Sequence, residues 1–167
     1  MNVRVGQGFD VHPWSDDPGR PLVLGGVTLP DARGLAGHSD ADVVAHAVAD
    51  AVLGAAGLGD IGTHFPDTDP HWRGADSLTL LRHVVDLVTA EGWSIGNVDA
   101  TVILETPKLA PHKAAMAQRL SDALGAPVSV KAKRAEGLGA LGRGEGVACF
   151  TVALLQRPPG GKHAETP

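Results

Sequence analysis

The sequence predicts a single α/β domain, an α+β sandwich in which helices cover one face of a mixed sheet of about four main strands, with a small hairpin beside it. Three observations support this prediction. The chain has 167 residues, 43% of them hydrophobic, which is enough for one domain with its own core. Apolar runs typical of strands alternate with segments of helical periodicity, and a pair of glycines separates two short apolar runs. The order strand, hairpin, two helices, strand, helix and two strands therefore indicates a layered domain.

Local patterns place each element. The predicted strands, which are rich in Val, Ile and Leu, are residues 3–12, 22–24, 27–29, 98–104, 128–132 and 147–155. The predicted helices, which carry apolar residues at helical spacing, are residues 41–56, 77–91 and 111–124. In the first strand, Gly6 and Gly8 indicate either a bulge or the close approach of another backbone. Ser39 or Asp40 can cap the first helix, and Gly57 ends it.

The outline of the domain follows from what surrounds these elements. The segment from residue 57 to residue 76 is too long and too polar for a simple connector, and long ordered loops are usually functional. We expect the domain to cover residues 1–156 and residues 157–167 to form a disordered tail. The strands at 98–104 and 147–155 carry apolar side chains on both faces. In a thin domain, this pattern predicts that the second face of the sheet is buried against other subunits.

Composition excludes several classes of function. The net charge is −5 and no long basic run is present, which argues against a protein that binds the phosphate backbone of DNA or RNA. The N-terminus has no signal-peptide pattern and no apolar stretch is long enough to span a membrane, so we expect a soluble, cytoplasmic protein with no membrane contact. Cys149 lies in an apolar run and is expected to be a small buried residue, which leaves no disulfide within the chain.

A candidate metal site combines Asp10, His12 and His46. On an extended segment Asp10 and His12 point the same way, and His46 can reach them from a helix packed alongside. Two imidazoles and one carboxylate suit Zn(II) with a fourth position open for a substrate oxygen. An alternative is that Asp10 and His12 only cap a turn. Asp42 and Asp50 stand one helical turn either side of His46 and could orient its ring, or form a solvated polar stripe.

Two further groups of residues are compatible with substrate binding. Residues 59–62 and 65–70 supply carboxylates that could hold hydroxyl groups or a hard cation, although the same residues are ordinary material for turns. The cationic residues of segment 131–136, followed by 142–146, suit a phosphate site with Mg(II), although a mixed surface charge would look the same.

Taken together, these residues resemble the 2-C-methyl-D-erythritol 2,4-cyclodiphosphate synthase family. The resemblance rests on six motifs in order, Phe9-Asp10-Val11-His12, Gly37-His38-Ser39-Asp40 with His46, Gly59-Asp60-Ile61-Gly62, Phe65-Pro66-Asp67-Thr68-Asp69-Pro70, Pro107-Lys108 and Gly142-Arg143-Gly144-Glu145-Gly146. It extends from about Arg4 to Leu155. Each motif alone is modest, but the order and spacing of all of them make the resemblance specific.

The resemblance implies a lyase of non-mevalonate isoprenoid biosynthesis. Such an enzyme converts 4-diphosphocytidyl-2-C-methyl-D-erythritol 2-phosphate to 2-C-methyl-D-erythritol 2,4-cyclodiphosphate and releases CMP, by intramolecular phosphoryl transfer. It also implies a homotrimer with active sites between adjacent subunits, one Zn(II) per subunit, and Mg(II) or Mn(II) bound with the substrate.

The resemblance also assigns roles to residues. Asp10, His12 and His46 would bind zinc, and Glu136 would bind magnesium. His38 and Arg134 would be catalytic. The residues implied to contact the substrate are Asp10, Val11, His12, His38, Ser39, Asp60, Ile61, Gly62, Phe65, Pro66, Asp67, Thr68, Asp69, Leu104, Glu105, Thr106, Pro107, Lys108, Leu109, Ala110, Lys133, Arg134, Ala135, Glu136 and Arg143.

The chain departs from the family pattern at two places that bear on the site. Lys133-Arg134-Ala135 stands where the family usually has a threonine pair, so Arg134 either supplies charge in place of a hydroxyl group or points away from the site. Ala140 stands where an aromatic residue is common. Two alternatives therefore stay open: a metal-stabilised trimeric nucleotide-binding protein without turnover, and a non-haem iron enzyme, because two histidines and a carboxylate also form the iron facial triad.

Overall fold

A mixed four-stranded sheet forms the centre of the computed structural model, which describes residues 2–72 and 74–157. The strands of this sheet are β1 (Asn2–Pro13), β4 (Ser94–Ile103), β5 (Val128–Lys133) and β6 (Gly146–Arg157), and a separate hairpin is formed by β2 (Pro21–Leu24) and β3 (Val27–Arg33). The order across the sheet is β1-β6-β4-β5. Strand β6 runs antiparallel to β1 and β4, whereas β4 and β5 are parallel. The predicted mixed sheet and the hairpin are both confirmed.

Within the described ranges, five helices connect these strands. They are α1 (Val43–Ala56), α2 (Ile61–His64), α3 (Ser77–Ala90), α4 (Lys113–Leu124) and α5 (Gly139–Gly142), with a short 3-10 turn at Pro70–Trp72. The three predicted helices are confirmed, and the long polar segment is ordered around α2 and the 3-10 turn. Helix α4 begins at Lys113, so Pro111 precedes the helix instead of lying in its first turn as predicted.

Asp42 caps α1 and joins the helix to the hairpin. Its carboxylate accepts hydrogen bonds from the backbone N–H groups of Val44 and Ala45, each at 3.1 Å. The same carboxylate accepts the N–H groups of Gly25 at 2.8 Å and Gly26 at 2.6 Å, at the turn between β2 and β3. The predicted cap, Ser39 or Asp40, was therefore wrong, because the helix begins directly after Asp42, whereas the Asp40 carboxylate binds Ser77 and the Ser39 hydroxyl binds the N–H of Ala41.

Two glycines of β1 allow α1 to lie directly on the sheet. A Cβ atom at Gly6 would lie 1.9 Å from the carbonyl oxygen of Ala51, and one at Gly8 would lie 1.9 Å from that of Ala47. The pairing of β1 with β6 continues without a break past both glycines. Close approach, and not a bulge, therefore explains the two glycines. It also brings His46, the neighbour of Ala47 on α1, next to Asp10 near the end of β1.

The end of β6 differs from the prediction. This strand continues to Arg157, which pairs with Asn2, and the Arg157 guanidinium stacks at 4.0 Å from the centre of the Trp93 ring. The expectation of disorder at residue 157 was therefore wrong, because cation–π stacking and strand pairing hold this residue. The remainder of the predicted tail, residues 158–167, lies outside the described residues.

One face of the sheet carries the helices and the other is open. Residues on the helix side, such as Val102 and Cys149, are fully buried. On the opposite side, the rings of Phe9 and Phe150 lie with their centres 4.7 Å apart and are 44% and 45% exposed. Val5 beside them is 66% exposed. Within the described residues, no helix is long and apolar enough to cross a membrane.

Candidate metal and substrate site

Three side chains converge where β1 passes α1. The Oδ2 atom of Asp10 lies 3.0 Å from Nε2 of His12 and 3.0 Å from Nδ1 of His46, and the two nitrogens are 3.3 Å apart. A zinc ion bound tetrahedrally at about 2.0–2.1 Å holds its ligand atoms about 3.3 Å apart. Among the described residues this is the group whose ligand atoms lie close enough together to hold a metal ion. The predicted triad is thus assembled, and its geometry fits such an ion.

His12 is held in the tautomer that a metal ligand needs. Its Nδ1 atom lies 2.7 Å from the carbonyl oxygen of Ala36, which can only accept a hydrogen bond. The proton therefore resides on Nδ1, and the lone pair of Nε2 points to the centre of the triad. A carbonyl partner of this kind fixes both the ring orientation and the basicity of a ligating histidine.

His46 is oriented by hydroxyl groups. Its Nε2 atom lies 2.9 Å from Oγ of Ser77 and 3.1 Å from Oγ of Ser39. Because the Ser77 hydroxyl donates its hydrogen to Asp40, it accepts one from His46. The Nδ1 lone pair of His46 is then free to face Asp10 and the centre of the triad.

The carboxylates predicted to orient His46 have other roles. Asp42 caps α1 and binds the hairpin turn, as described above. Asp50 accepts the backbone N–H of Ile61 at 2.8 Å and so ties α1 to the start of α2. The prediction was wrong because i, i+4 spacing brings side chains to one face of a helix but does not decide which neighbour each one bonds.

The charges of the triad are mutually stabilising. Burial alone would raise the pKa of the Asp10 carboxyl, but the hydrogen bonds and charges of His12 and His46 lower this pKa far below its ordinary value. Burial acts to lower the pKa of His12, yet the hydrogen bond and charge of Asp10 raise it above the ordinary value. The carboxylate is therefore ionised at neutral pH, as a metal ligand must be.

A cleft of about 310 Å³ opens beside the triad. The residues that line it are His12, Gly37, His38, Ser39, His46, Ile61, Phe65, Asp67, Trp72 and Leu80. Phe65 and Trp72 meet edge to face, with ring centres 5.0 Å apart, and form one wall. The structure thus brings the predicted residues of three separate motifs to the metal triad. A larger cavity of about 620 Å³ lies beside the hairpin among residues 15–33 and contains none of the three ligands.

The rest of the acidic loop is organised around α2. Asp60 caps this helix, and hydrogen bonds from the hydroxyl and backbone N–H of Thr63 hold the pKa of its carboxyl below the ordinary value. The predicted residues Gly62, Pro66, Thr68 and Asp69 belong to this same loop. Val11 differs from the prediction, since its side chain alternates to the open face of the sheet and is 48% exposed there.

The other predicted site residues follow the ends of β4 and β5, away from the triad in the same chain. Asp10 pairs with Cys149 of β6, which pairs with Val102 of β4, which in turn pairs with Ala132 of β5. Three strand spacings separate the two outer strands, or about 14 Å. Glu136, just beyond β5, is exposed and is not among the residues that converge on the triad. The predicted site residues of one chain therefore lie in two separate groups, called half-sites below.

The second half-site is built at the carboxyl ends of the parallel strands. Leu104 and Leu109 are 4% and 2% exposed, so their side chains belong to the core, whereas Thr106, Lys108 and Ala110 in the same segment are exposed. Thr106 and Pro107 line a cavity of about 400 Å³ together with Trp14. Lys133 ends β5, and Arg134, Ala135 and Glu136 follow it, with a turn at Glu136. In the loop that follows, Arg143 pairs with Glu145 at 2.6 Å.

Some residues of the site were not identified from the sequence. Ser77 begins α3 and Arg20 precedes β2, and neither belongs to a motif named above. Arg20 donates from Nη2 to the carbonyl oxygen of Ser39, which anchors the loop that carries Ser39 and His38. The only sequence signal for Ser77 was the helix start after Asp76.

Comparison with known proteins agrees with this geometry. The model of the YgbB family matches residues 3–156. A 2-C-methyl-D-erythritol 2,4-cyclodiphosphate synthase from Bordetella petrii is 59% identical over 162 residues, which cover 94% of this chain and 99% of the relative. The enzyme of the same name from Geotalea uraniireducens is 54% identical over 158 residues, covering 93% and 99% of the two chains.

Solved structures give the same result. The CDP complex of Plasmodium falciparum IspF superposes with a TM-score of 0.80 at 34% identity and covers 93% of this chain and 97% of that one. The bifunctional IspDF of Campylobacter jejuni gives a TM-score of 0.88 at 42% identity, and the match covers 93% of this chain and 42% of the longer protein.

Proposed function

The chain belongs to the YgbB family of 2-C-methyl-D-erythritol 2,4-cyclodiphosphate synthases, and on that premise we propose how its own residues carry out the reaction. It converts 4-diphosphocytidyl-2-C-methyl-D-erythritol 2-phosphate to 2-C-methyl-D-erythritol 2,4-cyclodiphosphate and CMP, a lyase step of non-mevalonate isoprenoid biosynthesis. The observation that supports our assignment of residues is the convergence of Asp10, His12 and His46 beside a cleft lined by residues of the motifs at 37–40, 59–62 and 65–70.

The bonds exchanged decide what the protein must supply. An oxygen of the 2-phosphate attacks the β-phosphorus, and the bond from that phosphorus to the bridging oxygen breaks, with its electron pair leaving on CMP. The attacking phosphate is ionised near neutral pH, because its second pKa is about 6. The leaving phosphate also needs no proton, so neither a general base nor a protein nucleophile is required. The enzyme has to fold the substrate into an in-line pose and neutralise charge.

The metal triad serves to neutralise charge on the substrate. We assign Zn(II) to Asp10, His12 and His46, one ion per subunit, and Mg(II) or Mn(II) to Glu136 together with the substrate. When bound, these ions would polarise the diphosphate and offset the charge that accumulates on it. The fit of the triad is supported by its ligand spacing and by the backbone and hydroxyl partners that fix both imidazole rings. The Asp10 carboxylate and the two imidazole rings are therefore already oriented for metal binding when no ion is bound.

The cleft beside the triad serves to hold the substrate in the in-line pose. We assign His38 and Ser39 to a phosphate group of the substrate, with His38 in a catalytic role, since both line the cleft next to the metal ligands. The loop around α2, from Asp60 to Asp69, would hold the erythritol hydroxyl groups. The aromatic wall of Phe65 and Trp72 excludes water from this side of the cleft.

The nucleotide would lie in the second half-site. We assign the cytosine edge to the backbone of residues 104–110, a segment anchored by the buried side chains of Leu104 and Leu109. Lys133 at the end of β5, Arg134 directly after it and Arg143 after α5 would supply positive charge for the diphosphate. Backbone groups suit this task because they are fixed by the fold.

The two half-sites would meet across a subunit interface in a homotrimer. Two observations support this arrangement. The strands that lead to the two half-sites, β1 and β5, are about 14 Å apart in one chain because two strands separate them. The open face of the sheet exposes a group of apolar side chains that a second copy could cover, namely Val3, Val5, Phe9, Val11, Phe150 and Val152. A cytoplasmic location stays a prediction from the sequence.

The proposed function is tested by measuring CMP release and metal content on the same sample. Purified protein should retain about one zinc per chain and release CMP from the CDP-linked substrate when Mg(II) is added. EDTA should abolish the release, and restoring Zn(II) and Mg(II) should recover it. Protein that contains zinc but releases no CMP above background with Mg(II) present would show that the proposal is wrong.

A further inference from the structure

A pair of oppositely charged side chains links the ends of the two parallel strands. Glu105 follows β4 and Arg134 follows β5. The Glu105 Oε2 atom lies 2.7 Å from Nε and 2.6 Å from Nη2 of Arg134, so one carboxylate oxygen receives two N–H groups of the guanidinium. The other oxygen, Oε1, accepts the backbone N–H of Ala135 at 2.9 Å. Both oxygens of Glu105 are thus committed to the turn after β5.

The two members of the pair differ in their exposure. The Glu105 side chain is only 13% exposed, whereas that of Arg134 is 66% exposed. The carboxylate is therefore the fixed anchor, and the guanidinium is the accessible end of the pair. The hydrogen bond and charge of Arg134 hold the pKa of the Glu105 carboxyl below its ordinary value, so the anchor stays ionised. An accessible guanidinium held by a fixed carboxylate is prepared to bind a phosphate group.

The same anchor sets the backbone of the turn. The Ala135 carbonyl oxygen accepts the N–H of Leu138 at 2.9 Å, and the Ala135 N–H donates to Glu105. Between Ala135 and Leu138, Glu136 adopts a left-handed backbone conformation with φ of 53°, which is uncommon for a residue other than glycine. A conformation of this kind persists only when surrounding contacts hold it. Glu105 is one of these contacts.

We infer that Glu105 is the positioning residue of Arg134, and that this pair holds a phosphate group of the leaving nucleotide. The inference rests on the proposed function. Negative charge on the leaving phosphate increases as the bond to the β-phosphorus breaks, so a guanidinium fixed beside it stabilises the transition state more than the bound substrate. A free arginine side chain would have to be ordered at each turnover, and the carboxylate of Glu105 removes that requirement.

A double-mutant cycle tests the inference. Glu105→Gln keeps an oxygen for the Ala135 N–H but removes the charge that holds Arg134. We expect kcat for CMP release to fall about tenfold with KM changed less than about threefold. Arg134→Thr supplies the second background, since the family resemblance places a hydroxyl group there and turnover should stay measurable. In that background, Glu105→Gln should lower kcat by no more than about twofold, because the residue it positions is gone.

Asp16→Asn is the matched control. Asp16 also pairs with an arginine, Arg33 at 2.9 Å, but Asp16 itself is fully exposed and lines neither the cleft beside the triad nor the cavity beside Thr106 and Pro107. Arg33 keeps its hydrogen bond to the Ser15 carbonyl oxygen when the Asp16 charge is removed, so kcat and KM should stay unchanged. Equal losses from Glu105→Gln in both backgrounds, or a rise in KM alone, would overturn the inference. Wild-type protein without CMP release would instead refute the proposed function, so the two failures are distinguishable.

Discussion

The imidazole of His46 donates a hydrogen bond from Nε2 to the hydroxyl of Ser77, 2.9 Å away. The Ser77 hydroxyl in turn donates its hydrogen to one carboxylate oxygen of Asp40. The other oxygen of Asp40 accepts the Ser77 backbone N–H at 3.0 Å. A residue at the start of α3 thereby orients a side chain in the first turn of α1. The packing of the two helices and the geometry of the metal triad are coupled through this one hydroxyl group.

Replacement of Ser77 by alanine should weaken metal binding. The His46 ring loses its main acceptor and keeps only the hydroxyl of Ser39, so we expect zinc affinity to fall about tenfold, and up to about a hundredfold when Ser39 is replaced as well. Competition with a chromophoric chelator measures the affinity. Thr79→Ala on the same helix is the control, since Thr79 is exposed and bonds only the cap residue. An unchanged affinity in the double variant would contradict the role assigned to the hydroxyl groups.

Replacement of His46 by alanine should remove zinc and leave the fold intact. Helix α1 is stabilised by its buried apolar residues, by Asp42 at its start and by the left-handed Gly57 at its end, none of which involves the metal. We expect elemental analysis to find less than about a tenth of a zinc per chain, with native mass spectrometry showing an unchanged oligomer. One zinc per chain in this variant would mean that the ligand assignment is wrong.

Much of this arrangement could be predicted from the sequence because it depends on local patterns. Asp10 and His12 share a face as a consequence of strand alternation, and the glycine pair predicts its turn from backbone sterics alone. The partners of these residues could not be predicted in the same way. Ser77 lies 31 residues from His46, and Glu105 lies 29 residues from Arg134, so packing of distant elements brings each pair together. Hydrogen-bond partners at such separations depend on tertiary structure, which leaves no periodic signal in the sequence.

Replacement of Asp42 by alanine should destabilise the protein strongly. The carboxylate is fully buried and satisfies N–H groups both in the hairpin turn and in the first turn of α1. Loss of a cap costs about 1 kcal/mol, and each buried N–H left without a partner adds about 1–3 kcal/mol. We expect the free energy of unfolding in urea to fall by at least about 3 kcal/mol. Asp16→Ala, at an exposed site, should change it by less than about 0.5 kcal/mol.

The single cysteine should be unreactive in the folded protein. Burial, reinforced by the negative charges of Asp42 and Asp10, raises the pKa of the Cys149 thiol above its ordinary value. At pH 8 the folded protein should not react with Ellman's reagent within an hour, whereas protein in denaturant should release about one equivalent of thiolate. The sign follows from the raised pKa: above about pH 8.5 the unfolded thiol ionises and the folded one does not, so this group lowers stability as pH rises. Rapid labelling without denaturant would contradict the burial.

Replacement of Phe150 by aspartate should separate the subunits and abolish turnover while sparing the metal site. Phe150 lies beside Phe9 at the centre of the open face, where a second copy would bury the new carboxylate without a partner, at a cost of several kcal/mol. Its side chain points away from the helix face on which the triad lies, so zinc content should stay near one per chain. Light scattering should find monomers, and kcat/KM for CMP release should fall at least about a hundredfold.

Leu87→Asp is the matched control for this experiment. Leu87 is a large apolar residue of similar exposure, 37%, but it lies on α3 and not on the open face of the sheet. This variant should keep both the oligomer and the activity. A Phe150→Asp monomer with full activity would show that one chain holds a complete site, and the two half-sites would then have to meet by another route. A Phe150→Asp protein that stays trimeric would show instead that the open face is not the interface.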